Sequence, residues 1–192
     1  MISSIPCVIL SGGRSSRMGE DKSLLPFKGF NTLIEYQYNK LSKIFTDLYI
    51  STKEDKFDFI KDDSDIKLIY DDGEIFSPMV ALKSIFKSLD SNKIFIITVD
   101  TPFIYEQTIK TLIEKSKSYD IVIAKDDEKT HNLCGVFSKK TLQKVEECLN
   151  NDIHKINYLL RNSQTMELSF HDKEQFLNLN TPEEYKYSLS KK

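Results

Sequence analysis

Residues 10–22 bring together the residue types that hold phosphate groups. Gly12 and Gly13 let the backbone approach a ligand closely and direct successive N–H groups toward an anion. Arg17 and Lys22 add positive charge, the arginine as a planar fork and the lysine as a point charge. The segment therefore predicts a polyphosphate-binding loop, although its spacing is neither that of a Walker A loop nor that of a dinucleotide-binding loop.

Scarce residue types are concentrated in this loop. The chain has six glycines and three arginines, and residues 12–19 contain three of the glycines and two of the arginines. A flexible loop with exposed basic residues is the alternative interpretation, but it does not explain this concentration. We therefore expect Arg17 and Lys22 to act on the phosphates of a substrate.

Two acidic residues follow predicted strands and are further candidates. Asp100 comes directly after residues 93–99, the strongest strand prediction in the chain, because residues 94–99 are a continuous apolar and β-branched run. A carboxylate at the end of a buried strand is the kind of ligand that holds Mg²⁺ while a triphosphate supplies further oxygens. The alternative for Asp100 is to cap the next helix. Asp71 is a candidate contact to a base or ribose, with a turn beside Gly73 as its alternative.

Neutral polar residues form a third group of candidates. Asn178 and Asn180 alternate with apolar residues, so both amides are expected on one face, where they suit hydrogen bonding to a heterocycle or phosphate. An asparagine near a helix start can also be only a cap, and Thr181 and Pro182 predict such a start. His131 stands at the start of the region of the strand predicted near residues 133–137, and a structural role is the alternative to a functional one.

Strands and helices are predicted to alternate along the chain. Strands are predicted at residues 5–10, 48–50, 66–70, 93–99, 121–124, 133–137 and 165–168. Helices are predicted at residues 33–45, 80–89, 104–115, 141–149 and 153–160 and from Thr181 onward.

This alternation predicts an α/β protein with three α/β/α layers and a mostly parallel central sheet. We expect a single domain over residues 1–192, with ligands bound outside the carboxyl ends of the strands. The acidic clusters at residues 62–63 and 126–128 are expected to be solvated loops.

Composition narrows the function class. A net charge of −2 gives no electrostatic footprint for nucleic acid, and the apolar runs are too short to span a membrane. Three widely spaced cysteines predict neither a disulfide framework nor a zinc ribbon. We expect a cytoplasmic protein without a signal peptide.

Three motifs resemble those of the molybdenum cofactor guanylyltransferases, the MobA-like nucleotidyltransferase family. Residues 10–22 match the family pattern Leu-x-Gly-Gly-x-Ser-x-Arg-Met-Gly-x-Asp-Lys throughout. Residues 100–103 read Asp-Thr-Pro-Phe, and residues 178–184 read Asn-Leu-Asn-Thr-Pro-Glu-Glu, as in the family's other two motifs. The motifs stand in the family's order and their spacing covers nearly the whole chain, so the resemblance implies a Rossmann-like nucleotidyltransferase fold.

The resemblance also implies a reaction. The terminal phosphate of molybdopterin or Mo-molybdopterin would attack the α-phosphorus of GTP, forming a guanine dinucleotide and pyrophosphate with Mg²⁺ as cofactor. Asp100 would bind Mg²⁺ and the nucleotide, and the candidates for the pterin half of the cleft are Asn178, Asn180 and His131. Transient partners would be proteins that deliver molybdopterin or mature molybdoenzymes. The candidates for GTP binding are Leu10, Ser11, Gly12, Gly13, Lys22, Ser51, Asp71 and Asp100.

Two departures from the family pattern leave alternatives open. Residues 77–81 read Ser-Pro-Met-Val-Ala where the family commonly has Gly-Pro-Leu-x-Gly, and Ser51 stands where one branch carries asparagine. One alternative is a CTP- or UTP-dependent nucleotidyltransferase of the same fold that acts on a pterin or on a sugar or polyol phosphate. Those branches typically read Leu-Ala-Ala-Gly, whereas residues 10–13 read Leu-Ser-Gly-Gly and favour GTP. Another alternative is a nucleotide-binding adaptor without catalytic activity.

Overall fold

The computed structural model describes residues 5–12, 19, 21–61, 66–73 and 75–191. The strands within these residues are β1 (Cys7–Leu10), β2 (Leu48–Thr52), β3 (Lys67–Tyr70), β4 (Lys93–Thr98), β5 (Ile121–Lys125), β6 (Thr130–Ser138) and β7 (Thr165–Ser169). They form one seven-stranded sheet in the order β3-β2-β1-β4-β6-β5-β7. All of these strands run in the same direction except β6, which is antiparallel to both of its neighbours.

Helices cover both faces of this sheet. The α-helices of the described residues are α1 (Leu33–Leu41), α2 (Asp58–Lys61), α3 (Pro78–Ser88), α4 (Glu106–Lys115), α5 (Leu142–Asn150), α6 (Ile156–Arg161) and α7 (Pro182–Ser190). Helices α1 and α4 pack on one face, and α3, α5 and α6 pack on the other. Alternate residues of β1 enter the two layers, with Cys7 and Ile9 in one and Val8 and Leu10 in the other. The predicted three-layer fold with a mostly parallel sheet is confirmed.

The predicted elements are all present, with differences at their ends. Strand β6 begins at Thr130, before the predicted position, because a pairing irregularity after Ile123 brings His131 opposite Ala124. Helix α2 is too short for apolar periodicity to indicate it. Helix α7 has the predicted start, with Thr181 as its N-cap. No helix in the part of the chain that the structure describes is long and apolar enough to cross a membrane.

One expectation about the acidic clusters is wrong. Asp126 is only 4% exposed, although the cluster at 126–128 was expected to be a solvated loop. Its Oδ1 accepts hydrogen bonds from the backbone N–H groups of Glu128 (2.8 Å) and Lys129 (2.7 Å). The carboxylate therefore closes the turn between β5 and β6 from inside, while Asp127 and Glu128 remain exposed. The cluster at 62–63 lies outside the described residues.

Helix α1 anchors the loop that follows β4. Lys40 Nζ donates hydrogen bonds to the backbone oxygens of Pro102 (2.8 Å) and Ile104 (2.7 Å). One turn earlier in the helix, Gln37 Nε2 donates to the backbone oxygen of Thr98 (3.1 Å). These bonds hold the loop on both sides of Asp100 and so restrict the position of this candidate residue.

The pKa of Lys40 predicts a pH-dependent contribution to stability. Burial, with the nearby charge of Lys28, lowers this pKa from its usual value to about 8. As the pH rises above about 8, the folded chain releases the Lys40 proton while the unfolded chain still holds it, so folding gains stability. We expect the free energy of unfolding to rise by about 1–2 kcal/mol relative to Lys40→Met between about pH 7 and pH 10. Chemical denaturation of both proteins measures this, and a pH-independent difference between them contradicts it.

Candidate active site

The carboxyl ends of β1, β2 and β4 meet at one edge of the sheet, where the first candidate residues lie. The backbone N–H of Ser11 donates to the carbonyl of Ser51 (2.9 Å), and that of Val99 donates to the carbonyl of Leu10 (3.0 Å). These bonds continue the strand ladder beyond the strand ends. The candidates therefore lie in the crevice where open parallel sheets bind ligands.

Three segments that are distant in sequence meet at the side chain of Lys22. Its Nζ lies 2.6 Å from Asp100 Oδ2 and donates to Asn180 Oδ1 at 2.9 Å. The side chains of Lys22 and Asp100 are 15% and 16% exposed, so the pair is shielded from bulk water but open to a ligand. Capping explains neither partner, because the N-cap of α4 is Tyr105 and the N-cap of α7 is Thr181.

A cavity of about 280 Å³ beside this group forms the first lobe of a cleft. On its wall, Ser51 Oγ donates to Asp71 Oδ1 at 2.6 Å. A Cβ added to Gly12 would lie 3.0 Å from Asp71 Oδ2, so the glycine permits a close approach. Burial raises the pKa of Asp71 despite this hydrogen bond and the charge of Lys53. The apolar residues that line the first lobe are Leu10, Phe76, Pro78, Ala81, Val99 and Leu133.

A second cavity of about 260 Å³ shares Thr98, Asp100 and Leu133 with the first and forms the second lobe. Within it, Thr101 Oγ1 donates to Asn178 Oδ1 at 3.2 Å. The polar residues that line only the second lobe are Thr101, Lys129, Thr130, His131, Asn132 and Asn178. Asp100 therefore lies where the two lobes meet, and the second lobe has more hydroxyl, amide and imidazole groups in its lining than the mostly apolar first lobe.

His131 is both anchored and part of the wall of the second lobe. Its Nε2 lies 2.8 Å from Asp126 Oδ2, and its ring stacks on Phe176 with centroids 4.2 Å apart. The residue is 8% exposed. Burial lowers the pKa of His131, and the hydrogen bond from its ring to Asp126 offsets this only in part.

Two predicted site residues, Gly13 and Arg17, lie outside the described residues.

The segment at 77–81, which departs from the family pattern, lies within the described residues. Ser77 Oγ accepts a hydrogen bond from the backbone N–H of Met79 (3.2 Å) and so caps α3. Ala81, at the position of the family's second glycine, lines the first lobe.

Comparisons with known proteins identify the family to which this chain belongs. The family model described as the MobA-like NTP transferase domain matches residues 7–166. The chain belongs to this family. It is therefore a nucleotidyltransferase, an enzyme that transfers a nucleotidyl group.

Named relatives of this MobA-like chain are similar over nearly their whole lengths. A molybdenum cofactor guanylyltransferase from Campylobacter jejuni subsp. doylei is 39% identical, covering 96% of this chain and 95% of that protein. One of the same name from Helicobacter pylori (strain G27) is 32% identical, covering 98% of this chain and 94% of that protein. The crystal structure of molybdopterin-guanine dinucleotide biosynthesis protein A from Archaeoglobus fulgidus has a TM-score of 0.81 at 20% identity, covering 96% and 97% of the two chains. That structural likeness supports the fold.

Sequence reasoning missed one residue that contacts the MobA-like loop at residues 10–22. Lys56 Nζ forms an ion pair with Asp21 Oδ2 and donates to the backbone oxygen of Ser11 (3.2 Å). Asp21 Oδ1 in turn accepts from the backbone N–H (3.0 Å) and hydroxyl (2.7 Å) of Ser23, which caps the 3-10 turn that begins at Lys22. Lys56 therefore joins both ends of the loop, but nothing distinguishes it in sequence from the many other lysines.

Lys56→Met is expected to raise the KM for the nucleotide by about threefold to tenfold, because it loosens the turn that carries Lys22. Lys56→Arg, which keeps the charge, should restore most of the affinity. The control is Lys87→Met, since Lys87 forms an exposed ion pair with Glu146 on the helical surface. Steady-state kinetics measure the effect, and a nucleotide KM equal to that of the control contradicts it.

Proposed function

We propose that this MobA-like enzyme transfers GMP from GTP to the terminal phosphate of molybdopterin or Mo-molybdopterin. The products are molybdopterin guanine dinucleotide and pyrophosphate. The observation that carries this proposal is the junction of two lobes at Asp100 and Lys22, because a transferase must hold two substrates with their reacting phosphates together. The names of the relatives from Campylobacter jejuni and Helicobacter pylori support the choice of substrates.

The linings of the lobes suggest which substrate each one takes. The first lobe offers apolar walls for a base, with Ser51 and Asp71 near the position of the base or ribose. The second lobe offers hydroxyl, amide and imidazole groups, which suit the many donors and acceptors of a pterin. We therefore place the nucleoside in the first lobe and the pterin in the second, beside Asn178 and His131.

The proposed reaction needs no nucleophile from the protein. An oxygen of the acceptor's phosphate attacks the α-phosphorus of GTP, the bond between the α-phosphorus and the bridging oxygen breaks, and pyrophosphate leaves. Lys22 neutralises phosphate charge and, through Asp100 and Asn180, keeps a fixed position at the junction. Arg17 is proposed to add charge from the same loop. Catalysis then consists of in-line positioning and charge stabilisation.

The residues of the junction fit a phosphate-bound Mg²⁺ ion better than a dedicated metal cage. The described residues contain no group of three or more His, Cys, Asp or Glu side chains placed to hold a metal. Mg²⁺ is usually held by one or two carboxylates and by substrate phosphates, so Asp100 is a sufficient protein ligand. When bound, Mg²⁺ supplies charge neutralisation to the phosphates.

Titration calorimetry with GTP, CTP and UTP, each with Mg²⁺, tests the nucleotide assignment. We expect GTP to bind most tightly, and Asp71→Asn and Ser51→Ala to weaken that binding. A turnover assay with molybdopterin then follows pyrophosphate release. Tighter binding of CTP or UTP would contradict the choice of GTP, and GTP binding without Mg²⁺-dependent pyrophosphate release would instead indicate a nucleotide-binding adaptor.

A further inference from the structure

The turn between β5 and β6 buries a carboxylate that faces two backbone N–H groups and one imidazole nitrogen. Asp126 Oδ1 accepts from the backbone N–H groups of Glu128 and Lys129, and Oδ2 lies 2.8 Å from His131 Nε2. Burial by itself would raise the pKa of Asp126, but these hydrogen bonds outweigh burial and hold the pKa below its usual value. An ionised carboxylate can only accept hydrogen bonds, so Nε2 of His131 must carry a proton.

The protonation state of the second ring nitrogen of His131, Nδ1, follows from that of Nε2. Burial keeps the pKa of His131 below its usual value, so the imidazole is neutral at neutral pH. A neutral imidazole has one N–H, and with that N–H on Nε2 the other nitrogen, Nδ1, carries a lone pair.

The ring that carries this nitrogen lines the second lobe. Among the described residues no hydrogen-bond partner is found for Nδ1. Nδ1 is also not among the polar atoms that are both fully buried and without a partner, so it keeps some accessible surface. The ring is fixed in its plane by stacking on Phe176 at 4.2 Å, with 17° between the planes. Phe176 lies two residues before Asn178, so the ring and this amide are held by the same segment.

We propose that Asp126 is a positioning residue that fixes the tautomer of His131, so that Nδ1 accepts a hydrogen bond from the acceptor substrate. The matching ligand group is an N–H or O–H of a neutral heterocycle in the second lobe. Only the identity of this ligand rests on the proposed function. The tautomer and its control by Asp126 are properties of the free protein.

Asp126→Asn tests the tautomer without any substrate. The asparagine Oδ1 can still accept from the backbone N–H groups of Glu128 and Lys129, but its NH₂ group would face Nε2 and donate to it. The proton should then move to Nδ1. In ¹⁵N NMR spectra at neutral pH, the two nitrogens of His131 should exchange their protonated and unprotonated shifts between wild type and variant. A wild-type ring with its proton on Nδ1 would overturn the proposal, as would a variant ring with its proton still on Nε2.

The chain provides a matched control for this experiment. His171 Nδ1 lies 3.3 Å from Asp127 Oδ1, but these two side chains are 89% and 64% exposed. Asp127→Asn changes the neighbouring acidic residue in the same way without touching the second lobe. It should leave the ¹⁵N shifts of His131 and all kinetic constants at their wild-type values.

Kinetics test recognition by Nδ1. With GTP saturating, Asp126→Asn should raise the KM for molybdopterin about tenfold or more. The protonated Nδ1 of His131 would then face the N–H or O–H group of the ligand, so that two donors meet. The KM for GTP should not change. His131→Gln, which keeps an acceptor atom, should have a smaller effect on the molybdopterin KM than His131→Leu. If the tautomer inverts while the molybdopterin KM stays constant, the recognition step is wrong. If the enzyme prefers CTP, the proposed function loses its nucleotide, but the NMR result stands.

Discussion

Replacing Asp100 with asparagine should lower kcat by about 100- to 1,000-fold, the range for removing a group that stabilises charge in a transition state. The carboxylate lies where the two lobes meet, 2.6 Å from Lys22 Nζ. Asparagine keeps the shape of the side chain but removes its charge, so the proposed Mg²⁺ ligand is no longer anionic and the counter-charge of Lys22 is lost. Pyrophosphate release across a Mg²⁺ titration measures the effect.

Asp47→Asn is the matched control for this prediction. Asp47 Oδ1 lies 3.1 Å from Lys67 Nζ, but the aspartate and lysine side chains are 58% and 49% exposed. Both residues lie at the amino-terminal ends of strands β2 and β3, at the edge of the sheet opposite the cleft. This variant should keep the wild-type kcat. A near-normal kcat for Asp100→Asn at any Mg²⁺ concentration would show that the carboxylate has no part in the reaction.

Lys22→Met should weaken triphosphate binding by about 1.5–3 kcal/mol, which is the range for a hydrogen bond to a charged group and corresponds to about tenfold to 150-fold in Kd. Lys22 is the lysine at the junction of the lobes, and Asp100 and Asn180 orient its Nζ. Methionine keeps most of the length of the side chain without its charge. Calorimetric titration with GTP measures the difference.

The salt dependence of this loss adds a second readout. Lys67→Met removes a lysine from an exposed pair and should leave the Kd for GTP unchanged. Because Lys22 is 15% exposed, added salt should screen its contact with phosphate less than it screens an exposed charge. A Kd for Lys22→Met equal to that of Lys67→Met would place the triphosphate elsewhere in the molecule.

The parts of the fold that could be predicted are those where one local signal dominates. Residues 94–99 are apolar or β-branched without interruption, and β4 contains most of them, with both of its faces buried. The start of α7 was readable because Thr181 and Pro182 form a local capping signal. The direction of β6 was not readable, since direction depends on which strands become neighbours.

The same distinction, between a local signal and a tertiary contact, separates the site residues that could be named from the sequence from those that could not. Asp100 and Lys22 could be named as candidates because one ends a strong strand and the other lies in an unusual loop, and the structure brings the two side chains together. Lys56 and Asp126 were missed because their roles arise only from tertiary contacts. Asp126 was even interpreted as a solvated residue, since an acidic cluster in sequence does not show which of its members turns inward.

The reversed direction of β6 determines which residues can change the second lobe without changing the first. The first lobe is lined at its base by residues at or just after the carboxyl ends of parallel strands, among them Leu10, Ser51 and Thr98. Because β6 runs the other way, its first residues and the hairpin before them reach the same cleft from one side. Substitutions in residues 126–132 can therefore reshape the second lobe without changing the strand ends that line the first lobe. Under the proposed assignment of the lobes, the choice of acceptor can thus change independently of the donor nucleotide.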